Sequence, residues 1–338
     1  MIRAVTHLID DASFGGINRM LDHMTTSPAL GGRHHHRIAR VQRGQFSPPK
    51  LSTDIIVSHL SISWANLAML TALRAIYPNN PLIHVEHSYC ERFAAARVAN
   101  RLRFDTLLKT AYSLFDKVVA VSEAQGAWMQ RRGYCAPSRL ETIPSCVDLS
   151  PFFDLADKPR GSTFTIGAIG RFDEQKGFDI LIDAFRANPR HDLQLALFGD
   201  GPDRQRLMDR AGCHPRIAFH GYVPNTADAV AQCDAIAMPS RWEPYGLVAL
   251  EAMAAGRPLL CPRIDGLSDH IRSGATNIGE NSVDGWKAFL EKMEAYVELD
   301  DSRRLRRAAR LAEDRFLLGW NELLDTVVGS NADHAEAA

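Results

Sequence analysis

Short apolar runs of strand length alternate with longer helical patterns along the whole chain, and this alternation constrains the fold more than any other feature of the sequence. Strands joined by helices pair in parallel through right-handed crossovers. We therefore expect two doubly wound α/β domains, whose ligands bind beyond the carboxyl ends of the strands. The predicted strands cover residues 4–9, 55–57, 82–85, 117–121 and 140–143 in the first half, and 165–169, 194–198, 217–219, 235–238 and 259–261 in the second.

A polar, proline-bearing segment at 150–163 separates the two series of strands. The length of 338 residues agrees with two domains at about 150 residues each. We predict an N-terminal domain over 1–150, a C-terminal domain over 151–330 whose final helix can pack back on the N-terminal domain, and a flexible tail at 331–338. The first 150 residues carry 17 Lys and Arg against 11 Asp and Glu, and the remainder carries 22 against 29. This asymmetry indicates either different partners for the two domains or attraction between them.

The composition excludes several classes of protein. A net charge of −1 is not that of a nucleic-acid-coating protein. Six cysteines without a C-x-x-C pair favour reduced thiols over a disulfide framework or a zinc site. Residues 55–73 contain no charged side chain, but six polar residues interrupt them. That segment therefore predicts a strand, a polar loop and a helix rather than a membrane span.

The strongest motif places two carboxylates, Glu243 and Glu251, on either side of Gly246, directly after the predicted strand at 235–238. A tight turn at the glycine lets backbone N–H groups crowd the start of the next helix, which is a natural seat for a diphosphate. Those N–H groups belong to Tyr245, Gly246, Leu247 and Val248. Glu243 can accept hydrogen bonds from sugar hydroxyls, and Glu251 suits a ribose diol. The same spacing also fits an ordinary helix with acidic surface residues.

A second loop, Gly170-Arg171 to Lys176-Gly177, also follows a predicted strand and precedes a helix. Because a strand-to-helix loop returns to the same edge of the sheet, Arg171 and Lys176 can converge on one anionic group. Two solvated loop cations are the alternative interpretation. We expect this loop at the same sheet edge as Glu243.

Three features of the first half complete the candidate set. Gly15 and Gly16, after the first strand, permit close approach of the backbone to a ligand, although the G-x-G-x-x-G fingerprint is missing. His87 ends a predicted strand, where a functional and a structural histidine are both consistent with the sequence. The triplet 34–36 predicts a solvated basic turn in a surface loop, with weak metal binding as the alternative.

Taken in order, these motifs resemble the family-4 retaining glycosyltransferases of the GT-B fold. The resemblance covers nearly the whole chain and is densest from 143 to 270. The matching segments are 119–123, 143–148, 170–177, 197–202, 219–223, 239–247 and 251–258. The sequence departs from the family pattern at three places. Ser145-Cys146 stands where the family usually has Asn-Gly, Asp265-Gly266 stands where it usually has Gly-Gly, and the loop after Arg272 is short.

The resemblance implies two Rossmann-like domains facing across a cleft, with the acceptor on the first and the nucleotide-sugar on the second. It assigns the donor sugar to Glu243 and the ribose to Glu251. The diphosphate goes to Arg171 and Lys176. The remaining implied donor contacts are Gly16 against the phosphates, His87 near the anomeric centre and Val223 by the base, with Gly15 and Gly170 in the glycine turns.

We therefore expect a retaining hexosyltransferase that uses a nucleotide-diphosphate sugar, with UDP favoured and GDP next. Its acceptor would be a glycan or a lipid-linked sugar of cell-envelope, exopolysaccharide or lipopolysaccharide synthesis. No Asp-x-Asp occurs in the chain, so we expect neither a metal nor another cofactor. The alternatives are a sugar-nucleotide epimerase of the same fold and a catalytically silent nucleotide- or glycan-binding protein.

A basic segment in a predicted helix just after His87 bears on localisation. The cations are Arg92, Arg97, Arg101, Arg103 and Lys109, and they form no clean stripe at 100° per residue. We expect a cytoplasmic protein with a peripheral, salt-sensitive association with the anionic inner face of the cell membrane. A solvated helix, or one that binds an anionic acceptor, is the alternative.

Overall fold

The computed structural model describes residues 2–10, 15–159, 161–293 and 301–336, and in the last range the side chains up to residue 328. These residues form two parallel β-sheets flanked by helices, which confirms the doubly wound α/β fold class. All six cysteines are free thiols. Within the described ranges, no helix combines the length and the apolar character that a membrane crossing requires.

The first of two compact units consists of Met1–Asp148 and Glu313–Ala338, and we call it unit 1. Its strands are β1 (Arg3–Ile9), β2 (His34–Arg40), β3 (Ile55–Ser58), β4 (Leu82–Glu86), β5 (Lys117–Ala120) and β6 (Leu140–Thr142). Its helices are α1 (Gly16–Thr26), α2 (Pro28–Gly31), α3 (Leu67–Ile76), α4 (Glu91–Arg97), α5 (Arg101–Tyr112) and α6 (Glu123–Arg132). The sheet order is β2-β1-β3-β4-β5-β6, with all pairs parallel.

The histidine triplet lies in β2, and the predicted surface turn is therefore wrong. His34 and His36 are buried, whereas His35 between them is exposed. Successive side chains of a strand point to opposite faces, so the polar triplet follows the same inward–outward alternation that apolar residues usually show. The triplet pairs in parallel with residues 3–5 of β1.

The single helix predicted at 94–114 is two helices, α4 and α5. The break falls at Val98–Asn100, where the side chain of Asn100 accepts a hydrogen bond from the backbone N–H of Arg103 and caps α5. The apolar residues of both segments, including Ala94, Phe104 and Leu108, pack into one core. Their common burial explains why the sequence pattern runs through the break.

The second compact unit, unit 2, consists of Leu149–Ala312. Its strands are β7 (Phe164–Ile169), β8 (Leu193–Phe198), β9 (Ile217–Gly221), β10 (Ala235–Ala237), β11 (Leu259–Cys261) and β12 (Thr276–Asn277). Its helices are α7 (Ser150–Phe153), α8 (Phe178–Ala187), α9 (Arg204–Ala211), α10 (Thr226–Ala231), α11 (Leu247–Ala254), α12 (Leu267–Arg272) and α13 (Val283–Glu291), and α14 (Ser302–Glu336) begins here. The sheet order is β12-β11-β10-β7-β8-β9, again parallel.

This order reverses direction between β7 and β10. From β7 the chain adds β8 and β9 on one side, and from β10 it adds β11 and β12 on the other. The loops that follow β7 and β10 therefore leave the sheet side by side at its carboxyl edge. In open α/β sheets this reversal point is where ligands bind.

The final helix of the chain is divided between the two units. Helix α14 contributes its first residues to unit 2 and the part from Glu313 onward to unit 1, where Gly319 lies against Ile143. The helix continues to Glu336, so residues 331–336 are helical where we expected a tail, because no proline or glycine interrupts them. Residues 337–338 lie outside the described residues.

Candidate functional site

Two loops meet beside the reversal point of the unit 2 sheet. One connects β7 to α8 and carries Arg171 and Lys176, and the other connects β10 to α11 and carries Glu243. The Lys176 Nζ donates a hydrogen bond of 2.6 Å to the Glu243 Oε2. The Ser240 hydroxyl donates to the same oxygen over 3.2 Å. The structure thus brings together two side chains that lie 67 residues apart in the sequence.

Backbone geometry fixes the position of Lys176. Residues Glu174–Lys176 form a short 3₁₀ helix whose cap is Asp173, and that carboxylate accepts from the Lys176 backbone N–H. Gly177 follows with φ +65°, and a Cβ there would collide with the carbonyl of Pro239 in the other loop. Only glycine combines this left-handed conformation with such close approach, so the two loops pack backbone against backbone.

Arg241 connects the same two loops through its side chain. Its backbone N–H donates to the Gln175 carbonyl over 2.8 Å, and its guanidinium forms a bidentate pair with Asp179 at 2.8 and 2.7 Å. Burial alone would raise the pKa of Asp179, but the guanidinium holds that pKa below its usual value. Arg241 therefore fixes the loop that carries Glu243 onto α8.

A third loop, after β11, holds the backbone of Glu243. The Glu243 N–H donates to the Asp265 Oδ2 over 3.2 Å, and the Gly266 N–H donates back to the Glu243 carbonyl over 3.0 Å. Asp265 has φ +36°, the one positive φ among the non-glycine residues that the structure describes. Asp265 departs from the family pattern, but its position in the sequence does not indicate a part in the site.

The helix that follows Glu243 is α11, and its N-terminal cap is Gly246, which has φ +94°. A Cβ on Gly246 would lie 3.0 Å from the Met238 side chain and 3.2 Å from the Glu243 Cγ, so only glycine fits this turn. Leu247 and Val248, both half-buried, form the first turn of α11. Their N–H groups stand at the positive end of the helix dipole, directly after the loop that carries Glu243.

His270 supports this turn, and no motif in the sequence indicates that role. Its Nε2 donates to the Tyr245 carbonyl over 3.1 Å, and the two rings lie 4.6 Å apart between centroids. Burial lowers the pKa of His270 to about 4, so the imidazole is neutral at pH 7. A neutral ring with its proton on Nε2 is the form that this hydrogen bond requires.

The other predicted residues of unit 2 lie in different environments. Arg171 is 69% exposed, and its Nε pairs with the Asp173 Oδ2 at 2.5 Å rather than with Glu243. Gly170 has φ +151°, and a Cβ there would lie 3.5 Å from the Lys176 Cε. Glu251 is completely buried in α11, and Val223 is half-buried two residues after β9. The roles of these residues toward a donor stay predictions.

Unit 1 carries the remaining predicted residues, at the carboxyl edge of its own sheet. His87 directly follows β4 and is half-buried, and burial lowers its pKa to about 4. Gly15 precedes α1 as its cap, and Gly16 is the first, exposed residue of that helix. Phe14 of the same motif lies outside the described residues. In the parts of the chain that the structure describes, no three His, Cys, Asp or Glu side chains are grouped so as to hold a metal ion.

Comparison with known proteins identifies relatives of both halves of the chain. Residues 26–151 match the family described as Glycosyltransferase Family 4, and residues 163–298 match Glycosyl transferases group 1. The D-inositol 3-phosphate glycosyltransferase of Arthrobacter sp. is 28% identical over 313 residues, which are 85% of this chain and 72% of that protein. The glycogen synthase of Mycobacterium tuberculosis is 31% identical over 189 residues, which are 53% of this chain but only 44% of that protein.

Solved structures share the fold over nearly the whole chain. Sucrose-phosphate synthase from Thermosynechococcus elongatus superposes with a TM-score of 0.76 at 18% identity, covering 97% of this chain and 100% of that one. Anabaena HepE, solved in complex with UDP and glucose, superposes with a TM-score of 0.70 at 17% identity and the same coverage. At this level of identity the similarity shows the fold alone, which is GT-B.

Proposed function

The chain belongs to the family-4 glycosyltransferases of the GT-B fold, and we propose that it transfers a sugar from a nucleotide-diphosphate donor with retention at the anomeric carbon and without a metal. The acceptor we propose is a glycan or a lipid-linked sugar of envelope polysaccharide synthesis. The observation that carries the proposal is the Lys176–Glu243 hydrogen bond beside the reversal point of the unit 2 sheet.

The ion pair between Lys176 and Glu243 suits a site in which groups of a ligand replace each residue as the other's partner. Glu243 is buried, and its charge is balanced by Lys176 as long as no ligand is present. A donor diphosphate would compete for the ammonium of Lys176. The Glu243 carboxylate would then accept hydrogen bonds from hydroxyls of the donor sugar. Both charges keep a partner in this exchange, so neither is left buried and alone.

The diphosphate also needs stabilisation when it departs with its charge. We propose that Lys176, Arg171 and the N–H groups of Leu247 and Val248 supply it, in place of a divalent ion. Arg171 is exposed and pairs with Asp173 across its own loop, so it can turn toward an anion at little cost. We propose no resident cofactor, because the nucleotide-sugar is itself a substrate.

Retention follows from a front-face substitution in this proposal. The acceptor hydroxyl oxygen bonds to the anomeric carbon while the bond from that carbon to the phosphate oxygen breaks. The departing diphosphate takes the proton of the hydroxyl, so charge and atoms balance without a carboxylate nucleophile. His87 keeps the role that the resemblance implies, contact with the sugar near the anomeric centre.

We propose UDP as the first nucleotide to test and GDP as the second. Anabaena HepE, which shares the fold, was solved with UDP-glucose as well as with UDP. The family resemblance places Val223 by the base and Glu251 by the ribose. Because Glu251 is completely buried, ribose binding requires α11 or its neighbours to open a path to that carboxylate.

Unit 1 offers a surface for an anionic acceptor or membrane. At the start of α5, Arg101, Leu102 and Arg103 are all exposed, with Leu102 at 79%. The guanidinium of Arg103 lies 5.6 Å from the ring centre of Trp64, which is 44% exposed. Exposed aromatic and aliphatic side chains among cations are typical of peripheral membrane contact. We propose that this patch associates with anionic lipid on the inner face of the cell membrane.

Thermal unfolding with UDP, GDP, ADP and their sugars tests the donor class. A ligand at about 100 times its Kd adds about 2.7 kcal/mol to the stability of the protein. We expect stabilisation by a nucleoside diphosphate and its loss in Lys176→Ala, while Lys287→Ala on α13 behaves as wild type. Stabilisation that is equal in wild type and Lys176→Ala would contradict the site. Binding without sugar transfer would support the silent binding protein, and a changed sugar still attached to its nucleotide would support the epimerase.

A further inference from the structure

Four buried or half-buried histidines form one continuous chain across unit 1. They lie on four neighbouring positions of the sheet, with His36 in β2, His7 in β1, His59 directly after β3 and His87 directly after β4. Adjacent ring nitrogens are 2.9, 2.9 and 2.8 Å apart in that order, which is hydrogen-bond distance. Adjacent rings are inclined by only 23° to 29°. Trp320 of α14 packs edge-on against His7.

The chain is connected head to tail. The Nδ1 of His36 meets the Nε2 of His7, the Nδ1 of His7 meets the Nε2 of His59, and the Nδ1 of His59 meets the Nε2 of His87. A neutral imidazole has one N–H and one lone pair, so each contact needs a donor from one ring and an acceptor from the next. Only two neutral arrangements satisfy all three contacts: all four rings carry the proton on Nδ1, or all four carry it on Nε2.

All four rings are neutral at pH 7. Burial lowers the pKa of His36 and His87 to about 4 and lowers the pKa of His7 and His59 well below the usual value. At the His87 end of the histidine chain, two neighbouring groups have opposite effects on the pKa. Glu86 raises the pKa of His87, and His84 lowers it. At the His36 end, His34 and His35 lower the pKa of His36. The number of ring protons is therefore fixed at one per histidine.

The chain of hydrogen-bonded histidines ends at His36. The His36 Nε2 is buried and has no hydrogen-bond partner among the described residues. A proton on that nitrogen would be a buried donor without an acceptor, which folded proteins tolerate less often than a buried acceptor without a donor. The Nδ1–H arrangement avoids this donor. It also leaves no route for a proton to leave the chain at His36, so the chain is suited to hold a tautomer rather than to conduct protons.

We propose that His36, His7 and His59 are positioning residues that lock His87 as its Nδ1–H tautomer, so that His87 presents an N–H to an oxygen of the sugar. The contact with sugar rests on the proposed function, whereas the lock itself concerns unit 1 alone. Reversing the tautomer of His87 requires all four rings to change together. A single buried histidine would have no such constraint.

Nitrogen-15 NMR of the full chain with labelled histidine measures the tautomers without any assay of activity. Single substitutions assign the signals. We expect His36, His7, His59 and His87 all to give the Nδ1–H pattern at pH 7. A mixed set, or four Nε2–H rings, would overturn the lock and leave the transferase proposal standing. Four Nδ1–H rings in a protein that transfers no sugar would support the lock and contradict the transferase proposal.

Substitutions at the two neighbouring histidines of β2 provide the matched pair. His36→Leu removes the donor to His7, so we expect the other three rings to sample both tautomers. His35→Leu changes the exposed neighbour and should leave all four rings as in wild type. His36→Asn can donate again through its amide, so it should restore the Nδ1–H pattern. In transfer assays we expect His36→Leu to lower kcat by about fivefold to tenfold, the loss of one neutral hydrogen bond, with KM unchanged. If His36→Leu does not fold, the tautomers of the wild type alone decide the proposal.

Discussion

The ammonium of Lys176 lies 2.6 Å from the carboxylate of Glu243, across two loops that leave adjacent strands of the unit 2 sheet at the point where its winding reverses. Each partner is held by backbone geometry, through Gly177 against Pro239 for the lysine and through Asp265 for the glutamate. The pair is thus part of the architecture of the sheet edge. An anion that enters this edge meets a cation already in place.

We expect Lys176→Ala or Arg171→Ala to reduce turnover by about 10²-fold or more, because each cation faces the charge that develops on the departing diphosphate. Initial rates at saturating donor measure the effect. Lys287, a half-buried lysine of α13 paired with Glu291, provides the matched control, and Lys287→Ala should retain full activity. Near-normal turnover in both site variants would remove the role that we assign to these cations.

Chelation should leave activity intact, because lysine, arginine and helix amides supply the stabilisation that a metal would otherwise give. Sugar transfer measured before and after dialysis against EDTA tests this expectation. Loss of activity that Mg²⁺ or Mn²⁺ restores would show that the proposed metal independence is incorrect.

Asp265 predicts an unusual order of stability between two substitutions. At φ +36° an alanine keeps the strain of the left-handed region, whereas a glycine does not. Both lose the hydrogen bond to the Glu243 N–H. We therefore expect Asp265→Gly to be more stable than Asp265→Ala by about 1 kcal/mol in chemical denaturation.

The matched control for this order is Asp209, which is exposed within α9. There the usual helical preference applies, and alanine should be more stable than glycine by about 1 kcal/mol. If alanine is the more stable substitution at both aspartates, Asp265 does not carry the conformational strain that its φ implies.

His270 gives unit 2 a pH dependence of known sign. Its pKa is lowered to about 4 in the folded protein, so between about 4 and 6.5 the unfolded chain binds the proton more readily. The stabilisation is present above pH 6.5 and is lost as pH falls toward 4, with a magnitude of roughly 3 kcal/mol. His270→Gln keeps a donor for the Tyr245 carbonyl but does not titrate.

We expect the melting temperature of His270→Gln to fall less between pH 6.5 and 4.5 than that of the wild type, with the two alike in slope above pH 7. The remaining decline in the variant comes from the other buried histidines. Parallel curves over the whole range would mean that His270 is not held neutral in the folded protein.

Membrane association should be electrostatic. We expect more protein to sediment with anionic than with neutral vesicles at low salt. The double variant Arg101→Ser with Arg103→Ser should bind anionic vesicles more weakly, by about 1 kcal/mol per charge removed. Arg131→Ser with Arg139→Ser removes the same charge elsewhere in unit 1 and serves as the control. Equal recovery on both vesicle types, unaffected by either pair of substitutions, would refute the membrane contact.

The sequence predicted what depends on local pattern and missed what depends on distant partners. Apolar runs predict buried parallel strands at β1, β3, β4, β7 and β8, and the glycine motifs predict the loops that follow them. Strand β2 was missed because its inward-facing residues are histidines, which are polar in any hydropathy pattern. The break before α5 was missed because apolar residues continue on both sides of it.

The site shows the same division. Lys176 and Glu243 were predicted to share one sheet edge, because both follow strands of a parallel sheet. Their direct contact, the pairing of Arg171 with Asp173 and the support from His270 depend on side-chain directions that spacing does not encode. The histidines linked to His87 could not be predicted for a further reason. They come from three separate places in the sheet, with His36 in β2, His7 in β1 and His59 directly after β3.

The most direct test of the central claim is proton NMR of the anomeric signals while the protein turns over UDP-sugar with a mixture of glycan acceptors, GDP-sugar being the second donor. We predict free nucleoside diphosphate together with a new glycosidic signal that has the configuration of the donor, both forming at least about 10²-fold more slowly in Lys176→Ala. A product of inverted configuration, or a sugar altered while still attached to its nucleotide, would contradict the account.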